Sequence, residues 1–132
     1  MTGSTISWYS INDDLAVEDH GPVGLDEALK IVDRYLARCT EQFDDAEKAI
    51  AATMFGFSRS KSTFIEICVN DPTQISLKIE ISGPESSLFK RLFKGVFRHE
   101  EELKSREDVV QRVQQFFTMS PQDIQKKLTA GS

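Results

Sequence analysis

Histidine and cysteine are scarce in this chain, which limits the chemistry that its side chains can perform. The 132 residues include two histidines, His20 and His99, and two cysteines, Cys39 and Cys68. Neither cysteine belongs to a Cys-x-x-Cys pair or to a Cys/His spacing typical of metal sites. We therefore expect no metal and no cofactor, and buried thiols rather than a disulfide.

The chain also lacks the short motifs that accompany common enzymatic chemistries. It contains no G-x-S-x-G, no Walker loop, no G-x-G-x-x-G and no H-E-x-x-H. A Ser-His or Cys-His pair would have to use His20 or His99, and a structural histidine explains His99 better than catalysis does. The glutamates at 100–102 are typical of a solvated rim, because paired catalytic carboxylates require burial. The sequence therefore favours binding over catalysis.

Long apolar runs and an excess of basic residues are absent as well. No run approaches the roughly 20 apolar residues of a membrane-spanning helix, and the N-terminal segment lacks the basic and apolar regions of a signal peptide. The net charge is −5 and the isoelectric point is about 5.0, which disfavours nucleic acid and an anionic membrane as partners. We expect a cytoplasmic protein.

The remaining composition is that of a folded domain, with 39% hydrophobic and 28% charged residues. A chain of this length buries about two-thirds of the surface that it exposes when unfolded. Without repeats or low-complexity segments, residues 1–132 are predicted to form a single α+β domain. A last helix restarts at Pro121 but offers only Ile124 and Leu128 for packing, so residues 119–132 are expected to be weakly docked and mobile.

Three consecutive antiparallel strands are predicted between residues 53 and 82. Residues 75–81 alternate strictly between apolar and polar, the period of a half-buried strand, and residues 64–70 repeat the pattern. Pro72 reverses the chain between them. The predicted core-facing residues are Phe55, Phe57, Ile65, Ile67, Val69, Ile75, Leu77, Ile79 and Ile81.

Charges select the register between the second and third of these strands. Pairing Val69 with Ile75 places Glu66 opposite Lys78. A shift by two residues keeps the apolar face but places Glu66 opposite Glu80, and like charges directly opposite cost up to about 1 kcal/mol. We predict the first register.

Two amphipathic helices are predicted to cover the isoleucine face of the sheet. Residues 25–39 carry apolar side chains with the i, i+3, i+4, i+7 spacing, and a second such helix, residues 105–118, begins with Ser105 as its N-cap. A shorter helix is predicted within residues 40–52.

The N-terminal segment is predicted to add a fifth strand. Residues 4–11 are rich in strand-forming residues, and Ile6, Trp8 and Ser10 share one face, so this strand is placed at an edge of the sheet. Residues 12–24 are acidic and interrupted by glycine and proline, which predicts a solvated loop.

Two incompatible patterns overlap in residues 85–103. Leu88, Phe89 and Leu92 have helical spacing, whereas residues 93–98 alternate as in a strand. Because Gly95 would weaken a helix by about 1 kcal/mol, we predict a turn or short helix at 85–92 followed by a fourth strand at 93–103. The predicted fold is thus an α+β domain with an antiparallel four-stranded meander, an added N-terminal strand, and helices on one face.

The reverse face of the predicted sheet is the main candidate for a functional surface. It mixes charged side chains with apolar ones that the core does not require. Such a face either binds another protein or is covered by the termini of its own chain. We predict partner binding by Met54, Phe64, Glu66, Cys68, Lys78, Glu80 and Arg98.

A weaker candidate is the predicted turn at residues 58–61. Cations, hydroxyls and turn amides at a hairpin tip suit a phosphate or a carboxylate, although a solvated turn needs the same residues. The predicted anion-binding residues are Ser58, Arg59, Ser60 and Lys61.

These observations lead to one functional hypothesis and one alternative. The hypothesis is a small acidic protein-binding module, such as an adaptor, chaperone or inhibitor, that acts through its open sheet face or an edge strand and self-associates. Its partner is another protein or a second copy of itself. The alternative is a ligand-binding or enzymatic domain with a pocket between helix 25–39 and the sheet, near Tyr35, His99 or Glu101.

Overall fold

The computed structural model describes residues 5–12, 14–38, 46–60, 63–71, 73–82 and 96–130. Within these ranges the chain forms β1 (Ser7–Ile11), β2 (Val17–Pro22), α1 (Leu25–Arg38), α2 (Ala46–Thr53), β3 (Met54–Ser60), β4 (Thr63–Asp71), β5 (Gln74–Ser82), β6 (Val96–Leu103), α3 (Arg106–Thr118) and α4 (Pro121–Ala130). The predicted α+β class is confirmed.

The strands form one antiparallel sheet in the order β2-β1-β3-β4-β5-β6. The predicted meander corresponds to β3 through β6. The predicted register is also confirmed, because Val69 lies opposite Ile75 and Glu66 opposite Lys78. The sheet therefore has six described strands rather than four or five.

The N-terminal strand lies inside the sheet, not at its edge as predicted. β1 pairs with β3 on one side and with β2 on the other. Ile6, Trp8 and Ser10 share one face, as predicted, and that face is the isoleucine face. Ile6 and Ser10 are buried there, and Trp8 packs beside them and stacks on His20 with ring centroids 4.0 Å apart.

The predicted loop at residues 12–24 is wrong, because residues 17–22 form β2. An edge strand needs main-chain pairing but no apolar side chains, and β2 is almost entirely exposed. The turn into it is held by Asn12, whose side-chain oxygen accepts hydrogen bonds from the backbone N–H groups of Asp14 and Ala16 at 2.9 and 3.0 Å.

The core lies between the isoleucine face and the helices. All nine predicted core-facing strand residues are at most 3% exposed. α1 contributes Ala28, Ile31, Val32 and Tyr35, and the Tyr35 ring stacks on Phe55 with centroids 4.3 Å apart. The apolar side chains of α1 and of the strands thus fill the space between α1 and the sheet.

The C-terminal helices follow their predicted caps. Ser105 caps α3 by accepting a hydrogen bond from the Asp108 N–H at 3.3 Å. Both predicted apolar residues of α4 are buried, with Ile124 2% and Leu128 7% exposed. The fourth predicted strand is confirmed over Val96–Leu103, whereas the predicted turn or helix at 85–92 lies outside the described residues.

The open face of the sheet as a candidate binding surface

The candidate surface is the face of the sheet directed away from α1 and α3, which we call the open face. Its side chains alternate along each strand with those of the core, so the register determines which residues are neighbours. It includes Ser7, Tyr9, Ile11, Val17, Asp19, Met54, Gly56, Ser58, Phe64, Glu66, Cys68, Asn70, Ser76, Lys78, Glu80, Arg98, Glu100 and Glu102.

Tyr9 crosses a neighbouring strand to reach an acid on the strand beyond it. Its hydroxyl donates a hydrogen bond to Glu66 Oε1 at 3.1 Å, passing over Gly56 of β3. A Cβ at position 56 would overlap the phenol and lie 2.6 Å from the Ile65 carbonyl oxygen, so only glycine leaves room. Burial, followed by the negative charge of Glu66, raises the pKa of Tyr9 well above its ordinary value of 10.0.

Charges of alternating sign continue across β4, β5 and β6. Lys78 Nζ lies 3.8 Å from Glu66 Oε2 and 3.5 Å from Glu80 Oε2, and Arg98 Nε lies 3.4 Å from that same Glu80 oxygen. Each pair is partly exposed and stabilises the fold by about 1 kcal/mol at most. These ion pairs therefore fix the positions of the side chains on the open face more than they stabilise the fold.

Apolar side chains lie among these charges. Phe64 is half-buried, opposite Ser58 on one side and Glu80 on the other, with Lys78 Nζ 5.7 Å from its ring centroid. Met54 and Cys68 are directly paired and also half-buried. The thiol of Cys68 is free, and burial raises its pKa above 9.0, so it behaves as a small apolar group rather than as a nucleophile.

Two concavities open on this face. The first, of about 490 Å³, brings the rings of Tyr9 and Phe64 together with the carboxylates of Asp19 and Glu66. The second, of about 560 Å³, is lined by Met54 and Cys68 on one side and by acids of β6 on the other. Each therefore combines an apolar wall with carboxylates.

The open face is acidic as a whole. Among the described residues, five carboxylates and two cations point from it, which leaves a formal net charge of −3. The carboxylates are Asp19, Glu66, Glu80, Glu100 and Glu102, and the cations are Lys78 and Arg98. Both cations already lie beside a glutamate, so the unbalanced charge is negative.

The structure brings all seven predicted partner-binding residues onto this one face, in neighbouring positions of β3 to β6. Tyr9 and Asp19, which line the first concavity, did not follow from the sequence. Alternation with Trp8 and Ser10 is the signal that could have placed Tyr9 here. Asp19 carried no such signal, because its strand has no apolar alternation.

Three of the four predicted anion-binding residues, Ser58, Arg59 and Ser60, line the first concavity. Ser58 points from the open face, whereas the Arg59 guanidinium donates hydrogen bonds to the carbonyl oxygens of Phe116 at 2.7 Å and Met119 at 3.2 Å. Arg59 thus caps the C-terminus of α3, where the helix dipole favours a cation. Lys61 lies outside the described residues, and anion binding at this turn stays a prediction.

A polar cluster lies at the β6 side of the opposite face. Glu101 accepts two hydrogen bonds from Arg112, at 2.7 and 3.1 Å, and lies 2.9 Å from His99 Nε2. Burial alone would raise the pKa of Glu101, but hydrogen bonds from Arg112 and then His99 outweigh it and hold the pKa below 4.5. The cluster joins β6 to α3, which accounts for His99 structurally.

We expect Glu101→Gln to lower the free energy of unfolding by about 1 kcal/mol at pH 7, because Arg112 loses its charged acceptor. Since the folded pKa of Glu101 is depressed, its contribution is complete above pH 4.5 and is lost as the pH falls through the folded value. Urea unfolding between pH 7 and pH 3 should show the variant and the wild type converging in acid. Glu102→Gln, an exposed change on the same strand, is the control and should stay within about 0.5 kcal/mol of wild type at pH 7.

None of the described helices is long and apolar enough to cross a membrane. Comparison with protein-family models, with curated proteins and with solved structures found no match to this chain. The inference to function therefore rests on the geometry of the open face.

Proposed function

We propose that the protein is a cytoplasmic protein-binding module whose open face holds an extended segment of another protein, one that carries lysine or arginine beside a bulky apolar side chain. The observation that carries the proposal is the first concavity, where two aromatic rings and two carboxylates line a space of about 490 Å³ that Ser58, Arg59 and Ser60 also border.

A basic side chain suits the first concavity because carboxylates and aromatic rings line it. Asp19 supplies an exposed carboxylate, and Glu66 is held in place by the hydroxyl of Tyr9. The rings of Phe64 and Tyr9 line the space, and the Phe64 ring centroid already lies 5.7 Å from one cation, Lys78 Nζ. Arg59 borders the same space, but its guanidinium is engaged by the carbonyl oxygens of α3.

An apolar side chain suits the second concavity, since Met54 and Cys68 form one of its walls. A methionine adapts its shape to different apolar partners. The surrounding glutamates favour a segment whose remaining residues are basic. Mixed apolar and charged recognition of this kind is ordinary for transient protein interfaces.

The alternative function, a ligand pocket between α1 and the sheet, has less support. Tyr35 and Phe55 stack there at 4.3 Å and occupy the space that such a pocket would need. Both concavities described above open on the other side of the sheet.

The test is a selection of random dodecapeptides displayed on phage against the wild-type protein and against Phe64→Asp. We expect enrichment of peptides in which lysine or arginine accompanies aromatic or aliphatic residues. Their affinity should fall at least about tenfold in Phe64→Asp, because the loss of the aromatic anchor outweighs the added attraction of one more carboxylate. Leu15→Asp, which removes an exposed apolar side chain at the β1–β2 turn, should bind normally.

Enrichment of acidic peptides, or equal binding by Phe64→Asp, would contradict the proposal. Circular dichroism establishes that the variant is folded. If Phe64→Asp unfolds, Asp19→Asn provides the second variant, since Asp19 is exposed on the edge strand β2. This variant should bind the basic peptides with an affinity lower by a factor of about three or more, and its free energy of unfolding should not change.

A further inference from the structure

The strand β6 lies at one edge of the sheet, and Arg98 and Glu100, of opposite charge, are neighbours on its open face. β6 pairs with β5 over eight consecutive residues without any shift in register. Among the described residues, no strand pairs with its other side. The N–H and C=O groups on that side are a template for another strand.

The opposite edge of the sheet is protected from such pairing. β2 contains Gly21 in the left-handed region at φ 92°, ends at Pro22, and pairs with β1 through an irregular register. It carries acids but no cation to balance them. Natural sheets use such devices to prevent association at an edge, and β6 contains no glycine, no proline and no shift in register, although it carries several charged residues.

A second copy of β6 is the strand that fits this edge. In a two-fold antiparallel pairing, residues directly opposite must point from the same face, so the axis must pass beside one residue. With the axis at His99, Arg98 of each copy lies opposite Glu100 of the other. Two opposite-charge contacts then form on the open face, and no like charges meet there.

No neighbouring register forms two opposite-charge contacts without also placing like charges opposite each other. An axis at Arg98 sets Arg98 against itself. An axis at Glu100 places Arg98 opposite Glu102 twice but sets Glu100 against itself. An axis at Glu101 brings Glu100 opposite Glu102 twice. Like charges directly opposite are destabilising in a sheet, so the charge order of β6 selects the axis at His99.

The same register continues the charge pattern of the single chain across the junction. Within one copy, Glu66, Lys78 and Glu100 follow one another across β4, β5 and β6. The next two positions across the junction would be Arg98 and then Glu80 of the second copy, because these two residues lie opposite each other in the sheet. The signs alternate through all five positions.

We infer that the protein forms a two-fold symmetric dimer in which the β6 strands pair antiparallel about His99, joining two sheets into one. The open faces then form one continuous surface with a concavity lined by Tyr9 and Phe64 in each half. This pairing uses the main-chain edge and the Arg98 and Glu100 contacts, so it does not depend on the partner proposed above.

Complementary charge reversal tests the pairing and its register. Arg98→Glu alone places acids opposite acids at the junction, and Glu100→Arg alone places cations opposite cations. Each single variant should therefore dimerise at least about tenfold more weakly than wild type by analytical ultracentrifugation. An equimolar mixture of the two restores both opposite-charge contacts, and native mass spectrometry should show the mixed dimer in excess over either homodimer.

The inference would be overturned if analytical ultracentrifugation showed that the wild-type protein is monomeric at about 100 µM. Single variants that dimerise like wild type, or a mixture that shows no preference for the mixed dimer, would also overturn it. If a single variant loses its fold by circular dichroism, Arg98→Gln provides the second variant, since it removes the junction contacts without placing an acid opposite Glu80, and it should also dimerise more weakly than wild type. Phe64→Asp should leave the dimer intact, which separates this result from peptide binding.

Discussion

Replacing Gly56 with alanine is expected to lower the free energy of unfolding by about 3 kcal/mol, the upper part of the range for overpacked sites. Gly56 is buried on β3 between β1 and β4. An added Cβ would overlap the Tyr9 phenol and lie 2.6 Å from the Ile65 carbonyl oxygen. The side chain can move at a cost, but the backbone carbonyl belongs to the β3–β4 ladder and cannot retreat without breaking it.

Urea denaturation measures this loss, with Gly24→Ala as the matched control. A Cβ at Gly24 meets no atom within 4 Å, and Gly24 is the N-cap of α1, so that variant should lose about 1 kcal/mol at most. In a double-mutant cycle, Tyr9→Ala should relieve part of the cost of Gly56→Ala, because the two side chains compete for the same space. Equal stability of the two glycine variants would contradict the placement of Tyr9 across β3.

Arg59→Met is expected to cost about 2 kcal/mol, within the range for hydrogen bonds that involve a charged group. Its guanidinium joins β3 to the end of α3 through two carbonyl oxygens and lies 5.5 Å from the Phe116 ring centroid. Methionine keeps much of the packing but removes the donors. The same urea experiment measures the loss, and Arg34→Met, an exposed change on α1, should stay within about 0.5 kcal/mol of wild type.

Arg59→Lys should give an intermediate stability, because a single ammonium group does not reproduce the planar fork of a guanidinium. If Arg59→Met were as stable as wild type, its cation would not be needed at α3. The predicted anion site at residues 58–61 would then regain support, and a loss of inorganic phosphate binding in that variant would establish it.

Much of the sheet could be predicted because its patterns are local. The alternation in residues 64–70 and 75–81 defines β4 and β5, and the opposite charges of Glu66 and Lys78 select their register. The same alternation placed Phe64 and Cys68 together on the reverse face. These predictions required only neighbouring strands joined by a short turn.

The remainder depends on contacts between distant residues. The pairing of β1 with β3 places Tyr9 beside Gly56, and no pattern within either strand indicates this long-range contact. Arg59 contacts a carbonyl 57 positions later in the chain. β2 escaped prediction for another reason, since a solvent-exposed edge strand gains its stability from main-chain hydrogen bonds and leaves no apolar pattern in the sequence.

The most direct test of the proposed binding surface is an NMR titration of the ¹⁵N-labelled protein with an octapeptide of alternating arginine and leucine, compared with the matching octapeptide of glutamate and leucine. We predict chemical-shift changes for the arginine peptide in β1, β3, β4 and β5, centred on Tyr9, Phe64 and Glu66, and a much weaker response to the glutamate peptide. Phe64→Asp should remove the changes. Equal responses to both peptides, or changes centred on α1 around Tyr35, would contradict recognition of basic segments by the open face.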